Sequence, residues 1–136
     1  MTVPASQRRQ VWERAHGCCE YCRLSQEHTL TPHELDHIRS QKHDGPTTAD
    51  NLALACFYCN SYKGPNVAGF DPETDALFPL FNPRTDLWEQ HFEWDGAMLR
   101  GLTAVGRITI HVLNINLPER VEHRRRLMES GLFPPL

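Results

Sequence analysis

The sequence predicts an α+β fold, and three observations carry that reading. A strand, a long loop, a strand and a short helix follow one another between residues 34 and 63. Two Cys-x-x-Cys pairs bracket the run, and from residue 88 onward aromatic and polar residues alternate before a last helical segment. At 136 residues the chain has room for one domain and excludes two independent enzymatic ones. A composition of 40% hydrophobic and 23% charged residues excludes disorder, collagen and coiled coil. The formal net charge of -3 advertises no nucleic-acid or acidic-membrane partner, so any such partner must be met by a local patch. No apolar run approaches the roughly 18 residues of a membrane span. The first ten residues lack a signal-peptide core, and the expected compartment is the cytoplasm.

Taken in order, Ser6 to His16 reads as a helix. Ser6 is a cap, Val11, Trp12 and Ala15 fall on neighbouring helical positions, and Gly17 stops it. Cys18 to Cys22 forms a tight turn and residues 23–33 a polar loop. Glu34 to Ile38 is a short strand. Residues 39–50, rich in Gly, Pro, Thr and Asp and without periodicity, form a loop, the place where function often sits. Asn51 to Cys56 is a short apolar run, and Phe57 to Lys63 a short helix stopped by Gly64-Pro65. Phe70 to Pro83 is turn-rich. In Trp88 to Trp94 the residues Trp88, Phe92 and Trp94 fall on even positions with Glu89, His91 and Glu93 between them, the alternation of a strand with one buried face. These aromatics are expected in the core. Asp95-Gly96 supplies a hairpin turn, and Met98 to Thr103 and Arg107 to Ile115 complete an antiparallel three-strand meander. Asn116-Leu117-Pro118-Glu119 resembles a capping-box entry into a final helix that ends near Gly131 and carries Arg120, Arg124, Arg125 and Arg126.

Charge is unevenly spread along the chain. Residues 1–64 hold seven basic and seven acidic side chains, five of the eight histidines and all five cysteines. Residues 65–118 hold three arginines against seven acids and read as scaffold, while residues 119–136 recover one positive charge. We therefore divide the chain into residues 1–66, where the chemistry lies, and 67–136, an extension expected to pack on the first part as one domain.

The odd cysteine count argues against a complete disulfide framework and towards metal or a reactive thiol. Cys19 and Cys22 form one pair, Cys56 and Cys59 another, with 33 residues between. Thiolates so spaced can each take two corners of a tetrahedral Zn²⁺, and a closed four-sulfur shell leaves no position for substrate, so this zinc is structural. Cys18 with Cys22 is an alternative pair. The spacer that matches Cys56 and Cys59 favours Cys19, which leaves Cys18 as a small core residue.

Between the cysteines stand Glu34-Leu35-Asp36-His37-Ile38, then Asn51-Leu52-Ala53-Leu54-Ala55-Cys56, then Cys59-Asn60-Ser61-Tyr62-Lys63-Gly64. The segment from Cys19 to Gly64 closely resembles the zinc-bearing branch of the HNH endonuclease family, among the ββα-metal finger nucleases. Residues 70–130 more loosely resemble the tail of a set of bacterial HNH proteins. The resemblance implies a ββα-metal finger in which His37 matches the general base and Asp36 a ligand of the catalytic cation. Asn51 matches the asparagine that orients the base and braces the loop. Asn60 stands at the final metal ligand, commonly His in the family, and Cys19, Cys22, Cys56 and Cys59 match the structural zinc ligands. The chain departs from the family in carrying Arg39-Ser40 where Pro often follows the Asp-His-Ile triplet.

Elementary chemistry supports the same assignment. Phosphodiester hydrolysis needs a base near neutral pH, a cation to neutralise developing charge, and fixed geometry. Imidazole, with an ordinary pKa of about 6.5, is a suitable base. A carboxylate and an amide oxygen offer hard ligation that suits Mg²⁺ or Mn²⁺. Asn60 in place of the commoner His is expected to shift preference towards Mg²⁺. Adjacent strand residues point to opposite faces, so Asp36 and His37 can share a site only if the strand ends or bends there. Arg39, Lys42 and Lys63 are the expected phosphate contacts. His28, His33 and His43, like the arginine run 124–126, are expected to be solvated.

These readings predict a metal-dependent endonuclease that nicks or cleaves DNA with little sequence preference of its own, with a homodimer as the easiest route to a double-strand break. The alternative is a zinc-stabilised nucleic-acid-binding module with a degenerate nuclease site.

Overall fold

The computed structural model describes residues 3–135. Helix α1 spans Ala5–Arg14, and Pro4, not Ser6, occupies its N-cap without a side-chain bond. Its buried residue, Val11, packs with Leu52 and Leu54, while the Arg14 guanidinium donates to the carbonyls of Ala49 (2.9 Å) and Leu52 (2.7 Å). The helix is thereby fastened to the start of the second strand.

Strands β1 (Glu34–His37) and β2 (Leu52–Ala55) pair antiparallel, with Asp36 opposite Ala53 and His37 opposite Leu52. All four residues of β2 are buried. With a two-residue period, Leu52 and Leu54 face α1 while Ala53 and Ala55 join the larger core, which is why the run is apolar without alternation. Helix α2, Phe57–Lys63, follows at once, with Cys56 as its N-cap and Gly64 (φ +49°) ending it ahead of Pro65.

Beyond residue 66, part of the sequence reading is corrected. The turn-rich stretch contains a small hairpin, β3 (Ala68–Phe70) with β4 (Leu77–Pro79). Its turn is held by Asp71, which accepts from Glu73 N, Thr74 Oγ1 and both guanidinium arms offered by Arg107. These bonds hold the Asp71 carboxyl well below the usual carboxylate range. Trp88 to Trp94 is not one strand: Trp88–His91 is a helical turn (α3), and β5 (Phe92–Asp95) begins after it. Trp88 and Phe92 are four apart and Phe92 and Trp94 two apart, so the same spacing serves a helix and then a strand. The aromatics are in the core as expected, Trp88 and Phe92 nearly inaccessible and their rings 5.1 Å apart.

Strand β5 pairs with β6, Met98–Gly101, and among the described residues the sheet has no third strand. Residues 104–112 form helix α4 (Ala104–Val112), N-capped by Thr103, which accepts from Gly106 N at 3.1 Å. The β-branched run Ile108-Thr109-Ile110 favours strand locally, yet it is overridden because Ile108 and Thr109 face the core at helical spacing. Gly106 permits the close crossing: a Cβ there would lie 2.2 Å from the His91 carbonyl oxygen.

The last helix, α5 (Pro118–Glu129), starts from Leu117 with Pro118 in its first turn and no side-chain cap. Asn116, the expected cap, instead bonds the N–H (2.9 Å) and carbonyl (2.8 Å) of Leu99. One buried apolar cluster contains Cys19, Tyr21, Ala53 and Cys56 from the first part together with Phe81, Phe92, Leu99, Ile108, Leu113 and Ile115 from the second. No helix among the described residues is long and apolar enough to cross a membrane.

Candidate active site and metal centre

The four sulfurs of Cys19, Cys22, Cys56 and Cys59 lie within 4.8 Å of one another and are buried. Cys19 and Cys22 sit in the turn after α1, which is docked on β2 by a bond from Glu20 N to Leu54 O. Cys56 and Cys59 open α2. Within each pair the second cysteine's N–H donates to the first cysteine's sulfur at 3.4 Å. Across pairs, Cys22 and Cys56 sulfurs are 3.7 Å apart, close to the edge of about 3.8 Å in a tetrahedron with zinc–sulfur bonds of about 2.3 Å. Burial pushes the Cys19 and Cys59 thiols well above their ordinary range while hydrogen bonds from the neighbouring thiols pull Cys22 well below its own, and four thiolates together in so buried a place need a cation to offset their charge. The donor set fits: four buried cysteines this close could hold a metal such as zinc. Cys18 lies outside the cluster, half-buried, with its thiol 3.6 Å from the His16 carbonyl, which removes the alternative pairing.

The second feature is an open depression of about 360 Å³ between the end of β1, the following loop and α2. Asp36, His37 and Asn60 all line it, along with Ser40, Gln41, Lys42 and Gly64. Asp36 and His37 are the last two residues of β1, and both line the depression at the point where the chain leaves the strand. Two contacts hold the turn that follows. Ile38 N donates to Asn51 O at 2.9 Å, and the buried Lys63 ammonium donates to the carbonyls of His37 (2.9 Å) and Ile38 (3.2 Å).

Asp36 is only 4% exposed. Its carboxylate accepts from the Tyr21 hydroxyl at 2.8 Å and from Lys63 Nζ at 3.2 Å. Burial lifts this carboxyl above its usual range, against the opposing pull of Lys63 and Tyr21. Tyr21 stands between Cys19 and Cys22, so a single residue joins the cysteine cluster to Asp36. Each carboxylate offers about four acceptor positions, so lone pairs remain for a hard cation beside these donors. Asn60 lies half-exposed on α2. An acidic and an amide side chain among the residues lining one depression are of the donor class that suits Mg²⁺ or Mn²⁺.

His37 is half-buried, and its Nε2 lies 2.9 Å from Thr47 Oγ1. Asn51 does not line the depression but lies behind it. Its side chain accepts from Arg39 N (3.0 Å) and donates to Arg39 O (3.0 Å) and Pro46 O (2.8 Å), closing the loop on itself. Thr47, next to Pro46, is thereby brought to the imidazole. Gly45 is required by the closure, since a Cβ there would fall 1.7 Å from Arg39 O. Gly45→Ala is expected to cost roughly 1–3 kcal/mol through overpacking, measured as a fall in melting temperature with the zinc content unchanged. A variant as stable as the parent would show that the loop is not closed in this way.

Of the expected phosphate contacts, Arg39 and Lys42 are exposed, Lys42 on the rim of the depression and Arg39 bonded through Nε to the His43 carbonyl. Lys63 is a correction. At 1% exposure its ammonium is enclosed by Asp36 and two carbonyls and cannot meet a nucleic-acid backbone. His33 is likewise buried, its ring stacked on Trp12 and bonded to Leu24 O. In the run 124–126, Arg125 and Arg126 are exposed and paired with glutamates along α5, whereas Arg124 is buried. Tyr21 and Thr47 were missed from the sequence: neither belongs to a motif, and only the packing of the cysteine turn and the loop brings them to Asp36 and His37.

Neither the curated proteins nor the solved structures yield a significant match to the chain. A family model does. The stretch that holds both cysteine pairs, the β1–β2 hairpin and α2 is similar to the family already indicated by its motifs: residues 19–66 match the model for HNH endonuclease.

Proposed function

We propose that the protein is an HNH-type endonuclease that hydrolyses DNA phosphodiester bonds with a divalent cation and a histidine base. The family match over residues 19–66 points to a nuclease-type function acting on nucleic acid. The observation that carries the finer reading is that Asp36, His37 and Asn60 line one open depression. In this reading residues 1–66 are the zinc-stabilised nuclease core, and 67–136 an extension packed on it.

His37, held by Thr47, accepts the proton of the attacking water. Asp36 and Asn60 hold Mg²⁺ or Mn²⁺, which when bound supplies charge neutralisation at the scissile phosphate and leaving oxygen. Tyr21 and Lys63 donate to the Asp36 carboxylate, which opposes the upward push of burial on its pKa and fixes its position. Asn51 braces the loop so that the base keeps its place. Arg39 and Lys42 offer the local positive charge that a chain of net charge -3 needs against a phosphate backbone. Cys19, Cys22, Cys56 and Cys59 hold a structural Zn²⁺.

The test is plasmid nicking with Mg²⁺ by the native chain and by His37→Ala. Loss of a general base is expected to lower the rate about 10²–10⁴-fold. Equal nicking by both would remove His37 as base. A second reading, a nucleic-acid-binding module, draws on the Lys63 ammonium already bonded to the carboxylate meant for the cation. Tight DNA binding by the native chain without nicking under Mg²⁺ or Mn²⁺ would favour that module.

A further inference from the structure

Arg120 lies outside the stretch matched by the family model, in the first turn of α5, and is 5% exposed. Both facts are unfavourable for a cation: burial strips its hydration, and the first turn is the positive end of the helix dipole. A guanidinium placed there needs anionic or carbonyl partners. Its Nη1 donates to the carbonyls of Leu113 (2.7 Å) and Asn114 (3.0 Å), just past the C-terminal end of α4. Its Nη2 lies 3.0 Å from Cys59 Sγ and 3.7 Å from Cys56 Sγ. The guanidinium also covers the Tyr58 ring at 5.2 Å, so α2 meets it with both a sulfur and an aromatic face.

Four thiolates around Zn²⁺ leave a net charge of about -2 in a buried place. We propose that Arg120 is a working part of the metal centre: its guanidinium offsets half of that excess charge and donates to the Cys59 sulfur, and the extension thereby completes a zinc site whose four ligands all lie in the first 66 residues. The neighbouring arginine supplies the contrast. Arg124, one turn on and also buried, lies near enough to the cysteines to feel their charge but gives its hydrogen bonds to Ala97 O, Ile115 O and Asn116 Oδ1, none of them a sulfur. The inference rests on the zinc reading of the cysteines and not on the nuclease activity.

The experiment uses the full chain as native protein, Arg120→Met, Arg120→Lys and Arg124→Met. Zinc affinity is measured by competition with a chromogenic chelator, and the cobalt-substituted proteins are compared by absorption. Loss of a partner that orients or polarises a ligand typically weakens metal binding about 10–100-fold. Arg120→Met is expected to fall in that range and Arg124→Met to stay within about threefold of native. The thiolate-to-cobalt charge-transfer band is expected to move to lower energy in Arg120→Met and not in Arg124→Met, because a sulfur relieved of an N–H donor is more electron-rich. Should Arg120→Met fail to fold, Arg120→Lys carries the test, with faster zinc release than native expected because the paired donors are lost. Native-like affinity and band position in the Arg120 variants, or equal changes in Arg124→Met, would overturn the inference. A native chain that retains no zinc would overturn the metal reading itself.

Discussion

Removing the metal from the four-cysteine cluster, by chelation or by Cys19→Ser, is expected to abolish the cooperative thermal transition of the native chain. The four sulfurs are at most 2% exposed and sit where the turn after α1, the end of β2 and the start of α2 meet. Apparent binding free energies of structural zinc are roughly 10–16 kcal/mol, as large as the whole stability of an ordinary domain at about 5–15 kcal/mol. Little else in this part compensates. Helix α2 has seven residues and β1 and β2 four each, lengths that do not persist without tertiary support. The measurement is a circular-dichroism melt with zinc content determined on the same sample. An unchanged melting temperature and zinc content in Cys19→Ser would show the assignment to be wrong. Cys18→Ser is the matched control, expected to alter neither, because that thiol lies outside the cluster, beside the His16 carbonyl.

Lys63→Met is expected to destabilise the protein by about 3–5 kcal/mol, the cost of leaving a buried charge without its partner. For a chain of this size that corresponds to a fall on the order of 10 °C in melting temperature. The Asp36 carboxylate would keep Tyr21 as its donor but lose its cation, and the carbonyls of His37 and Ile38 would lose the ammonium that holds the end of β1. Urea unfolding of Lys63→Met, Asp36→Asn and the double variant measures the coupling. The double variant is expected to be less destabilised than the sum of the single ones, since an amide beside methionine leaves no buried charge. Additive single effects would show that ammonium and carboxylate do not act as a pair. Because Lys63 holds the end of β1, where Asp36 and His37 line the depression, zinc content is expected to stay native while nicking falls.

Much of the first 66 residues was legible. The limits of β1 and α2 agree with the sequence reading to within one residue, α2 because the apolar run 51–56 precedes it and a Gly-Pro stop follows it. Asn51 was read as the loop brace on resemblance alone, and its three side-chain bonds to Arg39 and Pro46 supply the geometry. The second half was less legible. Arg107 to Ile115 looked like a strand since β-branched residues fit a pleated surface, and nothing local says that Gly106 must pass against His91. Asn116 looked like a cap because asparagine often is one, whereas a neighbouring strand edge had a stronger claim on its amide.

The sequence alone determined the positions of the four sulfurs, the strand–loop–strand–helix order between them and the set of residues proposed for hydrolysis, because spacing and local turn chemistry act over a few residues. Only the tertiary structure decided where the cations go. Lys63 and Arg120 are both basic residues on helices, which a linear pattern assigns to solvent or phosphate. Packing takes one to a carboxylate and the other to a sulfur. A buried charge is placed by the partners that surround it, and those partners lie 27 and 61 residues away along the chain.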